Sequence, residues 1–244
     1  MADVAVSVSV EQMRAVLAGP PEHAIAWLQE AAGRGFAEAQ TALGQMLLEG
    51  RGVARDAERA ARWFRKAAHV GYPMGMNMLG RCYENGWGVK AGPLMAAYWY
   101  RLAALAGLDW GMYNYATQLM PGTGIEPNRA EAFAWFGKAA DLGHAKAINI
   151  VGGFHEDGWE VEADRAAAAE CYRRAAEAGD FRGQFNHARM LAEQGRVSDA
   201  LEWLRACVQG ATPAFRAKLA EFLRRSPLQA FNAFGESLGA QLDA

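Results

Sequence analysis

The run His155-Glu156-Asp157, inside "VGGFHEDGWE" at residues 151–160, sets three side chains able to bind a metal or carry a proton in consecutive positions. A zinc site needs three or four ligands converging at short distance. Neither His-Glu-x-x-His nor Cys-x-x-Cys is present, and Cys82, Cys171 and Cys207 are irregularly spaced. No nucleophile-base-orienter set, phosphate loop or dinucleotide glycine pattern accompanies the run. What these three residues do depends on the elements that carry them.

Those elements belong to a chain built to fold. Of 244 residues, 52% are hydrophobic and 21% charged, which is a globular composition. The net charge is −2 and lysine and arginine form no block, so neither nucleic acid nor an anionic membrane is expected as a partner. The N-terminal stretch "MADVAVSVSVEQMRAVL" carries Asp3 where a signal peptide needs positive charge, and its apolar residues alternate with serine. No run of about 18 apolar residues exists to span a bilayer. Three cysteines, odd in number, fit reduced thiols in a cytoplasm better than a disulfide framework.

The strongest signal is internal repetition. Trp27, Trp63, Trp99 and Trp135 lie 36 residues apart, and the next step of 36 reaches Cys171. Gly35, Gly71, Gly107, Gly143 and Gly179 share the period, as do Gly50, Gly86, Gly122 and Gly158. Ala24, Ala60, Ala96, Ala132 and Ala168 each stand seven residues before a second alanine, with the Trp and its aromatic neighbour between them. That places them on one helical face. Small residues at Ala39, Gly75, Gly111, Ala147 and Gly183 let a second helix come close, with Leu43, Leu79, Tyr115 and Val151 filling the gap one turn later. Asp56, Asn128 and Asp164 are placed as N-caps, worth about 1 kcal/mol each. The recurring glycines are placed as left-handed C-caps.

Read in register, "AARWFRKAAHVGYPMGMNMLGRCYENGWGV" at residues 60–89 resembles the Sel1-like repeat, a helix-turn-helix relative of the tetratricopeptide repeat. The likeness rests on the Ala-x-x-Trp-aromatic start, the Ala-Ala-x-x-Gly turn, the Leu-Gly pair and the Gly-x-Gly-Val loop, and it covers residues 24–194. Repeat three has Tyr115-Ala116 for Leu-Gly, repeat four has Glu160 for the second loop glycine, and repeat five keeps neither the Trp nor the Leu-Gly. The resemblance implies an all-α, right-handed superhelical solenoid of stacked 36-residue helix-turn-helix repeats. It also implies a bacterial-type scaffold in macromolecular complexes and signalling; with no catalytic or cofactor motif in the sequence, neither a cofactor nor a catalytic residue is expected.

The domain layout expected is residues 1–23 as an N-terminal segment and capping helix, 24–199 as five repeats, and 200–244 as a degenerate sixth repeat with a C-terminal cap. Ser9 and Gln12 form a capping-box pattern. The sixth first helix is expected from Ala200, only 32 residues after Ala168, with its second helix over 213–225. Ser226-Pro227 is expected to open the last helix, with Pro at its first position.

In such a solenoid the first helices line the concave side, where partners bind. The positions flanking the packing stripe are Ala26, Glu30 and Gly33 in repeat one, and Arg62, Lys66 and His69 in repeat two. Repeat three has Tyr98, Leu102 and Leu105, so its first helix is apolar nearly all round, and either a neighbouring element or a partner covers it. Trp110 stands where other repeats have Glu38, Met74, Lys146 and Arg182, and tryptophan is a common interface anchor. With Arg62, Arg65, Lys66 and Arg101 on nearby first helices, a peptide carrying apolar and acidic residues is the expected ligand of a monomeric, non-enzymatic adaptor.

In register Glu156 and Asp157 match Glu84 and Asn85 as ordinary helix-end residues, and Trp159 matches Trp87 as a loop packer. His155 replaces Leu47, Tyr83, Leu119 and Leu191, and His187 replaces Leu43, Leu79, Tyr115 and Val151. The two rings fall on consecutive second helices one turn apart. With Tyr115 they form either a polar pocket for a small ligand or metal, or a core in which each imidazole finds hydrogen-bond partners.

Overall fold

The computed structural model describes residues 15–16 and 18–242; the Ser9 and Gln12 pair lies outside them. Among the described residues thirteen complete α-helices follow one another and no strand is present. They run in pairs: α1 (Pro21–Gly33) with α2 (Ala37–Glu49), α3 (Ala57–His69) with α4 (Pro73–Asn85), α5 (Pro93–Leu105) with α6 (Asp109–Leu119), α7 (Arg129–Asp141) with α8 (Ala145–Asp157), and α9 (Arg165–Glu177) with α10 (Phe181–Glu193). A sixth pair, α11 (Val197–Gly210) and α12 (Pro213–Arg224), precedes a last helix, α13 (Gln229–Leu242). The first ten helices keep the 36-residue step and the sixth pair starts 32 residues on, as the sequence spacing requires. The fold is an all-α stack of helix-turn-helix repeats.

Two boundaries differ from expectation. Helix α11 starts at Val197, three residues before Ala200, because Ala200 holds the same place in its helix as Ala168 does in α9. Helix α13 starts at Gln229, two residues after Pro227. The Ser226 hydroxyl accepts from the Leu228 amide, and the Leu228 carbonyl takes the first helical bonds from Phe231 and Asn232. Ser226-Pro227 therefore forms a turn before the helix instead of its first residues.

Two compact units, one ending at Trp135 and the other starting at Phe136, divide the chain within α7. In the first unit α1 to α6 pack in chain order, each helix on the next. The aromatic after Trp63 and after Trp99 carries the contact between repeats. Phe64 and Tyr100 are fully buried, whereas Trp63 and Trp99 are half-buried at their edge. The Leu-Gly glycine is explained by that ring, since a Cβ at Gly44 would lie 2.6 Å from Phe64 and one at Gly80 would lie 2.7 Å from Tyr100. Within a repeat, Gly75 and Gly111 face Ala67 and Ala103 so closely that a Cβ on either would sit 2.6 Å from its partner alanine.

The second unit reuses the same contacts. Gly152 receives the ring of Tyr172, Gly183 receives Ala175, and Phe231 and Leu238 of α13 close the core over Leu219 and Leu223. The caps fall where the sequence puts them. Asp56 accepts from the Arg59 amide at 2.9 Å, Asn128 from the Glu131 amide at 3.0 Å, and Asp164 from the amides of Ala166 and Ala167. The loop glycines Gly88 and Gly124 have φ of +66° and +77°. Glu160, at the same position in repeat four, keeps the left-handed conformation at +59° although it is not glycine.

Candidate functional site

In the first unit the first helices present two unlike rows side by side. On α3, Arg62, Lys66 and His69 lie at i, i+4 and i+7, with Arg65 beside them, and all four are exposed. These residues, Val70, the turn at Gly35 and Gln40 line a groove of about 560 Å³. Arg62 meets Glu58 at 3.8 Å on the exposed surface, and the Lys66 ammonium lies 4.2 Å from the centre of the Trp63 ring. Among the described residues Arg65 and Lys66 form no ion pair.

On α5 the neighbouring row is apolar along the whole helix. Leu94 is 63% exposed, Tyr98 51% and Leu105 58%, while Leu102 is half-buried. Trp110, at the start of α6, is 41% exposed and meets Tyr113 edge-on at 6.3 Å. The rows are joined by aromatic contacts: His69 lies 5.9 Å from Trp99, whose edge meets Tyr98 at 5.3 Å. Leu94 and exposed Met95 were missed by sequence reasoning. The signal was there, since the aligned residues are Glu58 and Arg59 in repeat two, both charged.

Arg101 sits elsewhere, beside the Tyr115 hydroxyl, instead of lining the groove. That hydroxyl donates to Glu131 at 3.4 Å, and the Trp135 indole N–H donates to the same carboxylate at 3.3 Å. Burial first, and then the Glu131 charge, raise the Tyr115 pKa. Tyr115 thus has a settled set of partners within the first unit.

In the second unit Glu156 shares with its aligned residue Glu84 a bond from the tyrosine of the following repeat, so this helix-end position is a contact between repeats. The Glu156 side chain is largely buried and accepts from the Tyr172 hydroxyl at 2.7 Å and from Arg189 at 2.6 Å. The bond from Arg189 is the main reason its carboxyl stays below the usual range. Asp157 is exposed at the helix end. Trp159 packs edge-on against Phe154 at 5.9 Å while remaining 42% exposed. The His187 ring meets Trp203 edge-on at 5.3 Å, repeating the contact of Tyr115 with Trp135. Desolvation by burial lowers its pKa, and its Nδ1 is buried without a hydrogen bond. His155 is half-buried on α8 and its carbonyl accepts from the Asp164 amide at 2.8 Å.

Among the described residues no group of three or more His, Cys, Asp or Glu could hold a metal. Burial pushes the thiols of Cys82 and Cys207 up to about 12, far from a reactive thiolate. No described helix is long and apolar enough to cross a membrane.

Comparison with known proteins agrees with the geometry. The Sel1 repeat family matches five segments, residues 21–36, 37–72, 73–108, 111–144 and 145–180. Among solved structures, a Sel1 repeat protein from Oxalobacter formigenes is 24% identical with a TM-score of 0.80, the alignment covering 96% of this chain and 99% of that one. The protein c5321, a protective antigen present in uropathogenic Escherichia coli strains and displaying an SLR fold, is 27% identical with a TM-score of 0.70. That alignment covers 91% of this chain and 50% of c5321. Immunity protein Pa5087 from Pseudomonas aeruginosa is 19% identical with a TM-score of 0.54, covering 95% of this chain and 80% of that one. No curated protein is significantly similar in sequence.

Proposed function

The chain belongs to the Sel1 repeat family, and from that premise we propose that it is a non-enzymatic adaptor that binds a protein or peptide along the faces of its first helices. Sel1 repeat solenoids are commonly protein-interaction scaffolds. The observation that carries the reading is the apolar row on α5, where Leu94, Tyr98 and Leu105 are each more than half exposed. Exposed apolar side chains scattered singly are ordinary, but a row along one helix next to a half-exposed indole is a binding surface in the making. The chain acts in the cytoplasm as a monomer that brings a client to a complex.

The test is affinity capture from the native cell with mass spectrometry, repeated with Tyr98→Glu and Trp110→Ala. A partner retained by the parent chain and lost from both variants supports the surface. Equal retention by all three removes it.

A second reading, a small-ligand or metal sensor at His155 and His187, rests on the buried His187 Nδ1 that accepts no hydrogen bond. Metal analysis of the purified protein against His155→Ala and His187→Ala decides it. Metal content near zero and unchanged by the substitutions ends that reading.

A further inference from the structure

We infer that the groove beside α3 takes an acidic segment of a partner polypeptide whose adjoining apolar side chains lie along α5. The inference rests on the adaptor reading and names the chemistry of its partner. Three cationic side chains, Arg62, Arg65 and Lys66, line one hollow with His69, Gln40 and the Gly35 turn. The acidic group facing them from the same helix is Glu58, which meets Arg62 across 3.8 Å of exposed surface. The corresponding arginine in repeat five is neutralised: Arg173 pairs with Glu170 and with Glu177, both at 2.6 Å. At the positions of Glu170 and Glu177, repeat two has Arg62 and His69 instead. The excess of positive charge is therefore local to α3, in a chain whose net charge is −2.

Spacing favours a peptide. Along a helix, positions i, i+4 and i+7 rise by about 6 Å and then about 4.5 Å, while alternate residues of an extended chain lie about 6.6 Å apart. Acidic side chains at alternate positions of an extended segment can therefore meet Arg62, Lys66 and His69 in turn, with Arg65 placed to make a forked contact with a carboxylate. With a net charge of −2 and no lysine or arginine block beyond this helix, the chain offers a nucleic acid or an anionic lipid surface no wider electrostatic footprint. His69, Trp99 and Tyr98 form a continuous aromatic step from the groove to Tyr98, and the apolar row continues to Leu105. A segment bearing both carboxylates and apolar side chains uses both rows.

The test is selection from a displayed library of random twelve-residue peptides on the full chain, beside the triple variant Arg62→Ala/Arg65→Ala/Lys66→Ala and Tyr98→Glu. Enrichment of Asp and Glu at alternate positions next to apolar residues is expected. Representative synthetic peptides should bind the triple variant at least tenfold more weakly, weaken with added salt, and also lose affinity for Tyr98→Glu. Enriched peptides without acidic residues, or with affinity unchanged in the triple variant, overturn this inference and leave the adaptor reading standing. Failure to enrich any sequence also overturns this inference, while the adaptor reading stands or falls by the affinity capture. Tighter binding of a single-stranded oligonucleotide or of phosphatidylserine vesicles, lost in the triple variant, overturns the peptide in favour of a general polyanion site. Circular dichroism and thermal melting check that each variant is folded.

Discussion

The Tyr172 hydroxyl donates to Glu156 at 2.7 Å, and Tyr100 does the same to Glu84 at 2.8 Å two repeats earlier. Glu84 and Glu156 stand one residue before the ends of their second helices, and the aromatic 16 residues later is Tyr; at the same place in repeat one stands Leu48, and 16 residues later comes Phe64, both in one apolar core. The interface between repeats thus comes in a polar and an apolar version. Each version is self-consistent, since a buried hydroxyl without its acceptor costs more than a matched apolar pair.

That pairing gives a double-mutant test. Tyr172→Phe is expected to cost about 1 kcal/mol and Glu156→Leu about 2 kcal/mol, because the latter strands both the Tyr172 hydroxyl and Arg189. The double variant recreates the Leu48–Phe64 version and should lose less than the sum of the two. Urea midpoints of the four proteins measure the coupling. Strict additivity would mean that the two side chains do not act as a pair.

Acid should expose the same network. The Glu156 carboxyl is held below its ordinary 4.5, chiefly by the bond from Arg189. A depressed carboxyl contributes stability that is complete above the unfolded value and disappears as pH falls through the lower folded value. Glu156→Gln should therefore be less stable than the parent at neutral pH, and the gap should close as pH drops below about 4.5. A gap of constant size from pH 7 to 3 in thermal melts would contradict it.

The loops make opposite predictions at equivalent positions. Gly88 has φ +66°, and a Cβ there would lie 2.0 Å from the Ala57 carbonyl oxygen, so Gly88→Ala should cost about 2 kcal/mol or more. Glu160 already holds the left-handed conformation at φ +59°. Glu160→Gly should release about 1 kcal/mol of that strain and raise the melting temperature. If both glycine variants shift stability in the same direction, the loop does not demand a left-handed residue.

The repeat was legible because its constraints are local and recur. A ring against a glycine, an alanine against a glycine and an aspartate on a free amide each need one residue type at one position. The sixth pair could be placed despite its shortened spacing because Ala200 and Trp203 kept their register. What escaped was contact between repeats. Glu156 looks like a helix-end carboxylate when its own repeat is aligned, and its partners lie 16 and 33 residues away. Aligning second-helix ends with the aromatics of the following repeat would have found it. The cationic groove was half-legible: Arg62, Arg65, Lys66 and His69 were readable, whereas Gln40 and the Gly35 turn enter through the packing of repeat one on repeat two. Arg101 shares its repeat position with Arg65, yet it lies beside Tyr115, because repeat three offers an aromatic hydroxyl where repeat two has Leu79.

His187 offers the last test, because its ring does the work of an aromatic with the added burden of a proton. It meets Trp203 edge-on as Tyr115 meets Trp135, and burial lowers its pKa from the ordinary 6.5. Glu177 and Glu170 oppose that shift while Arg173 and Arg196 add to it, but desolvation is the largest cause. The folded state therefore prefers the neutral ring, and the unfolded chain takes up the proton first as pH falls. Stability from this residue is full above about pH 6.5 and declines as pH drops through the lower folded value. His187→Phe keeps the edge-on contact and removes both the titration and the buried nitrogen that accepts no bond. The variant should be more stable by about 1 kcal/mol at neutral pH, and its advantage should grow toward pH 5. Parallel urea titrations at pH 7.5 and 5 measure it; an advantage that shrinks on acidification would mean that the ring is protonated and paired in the folded chain.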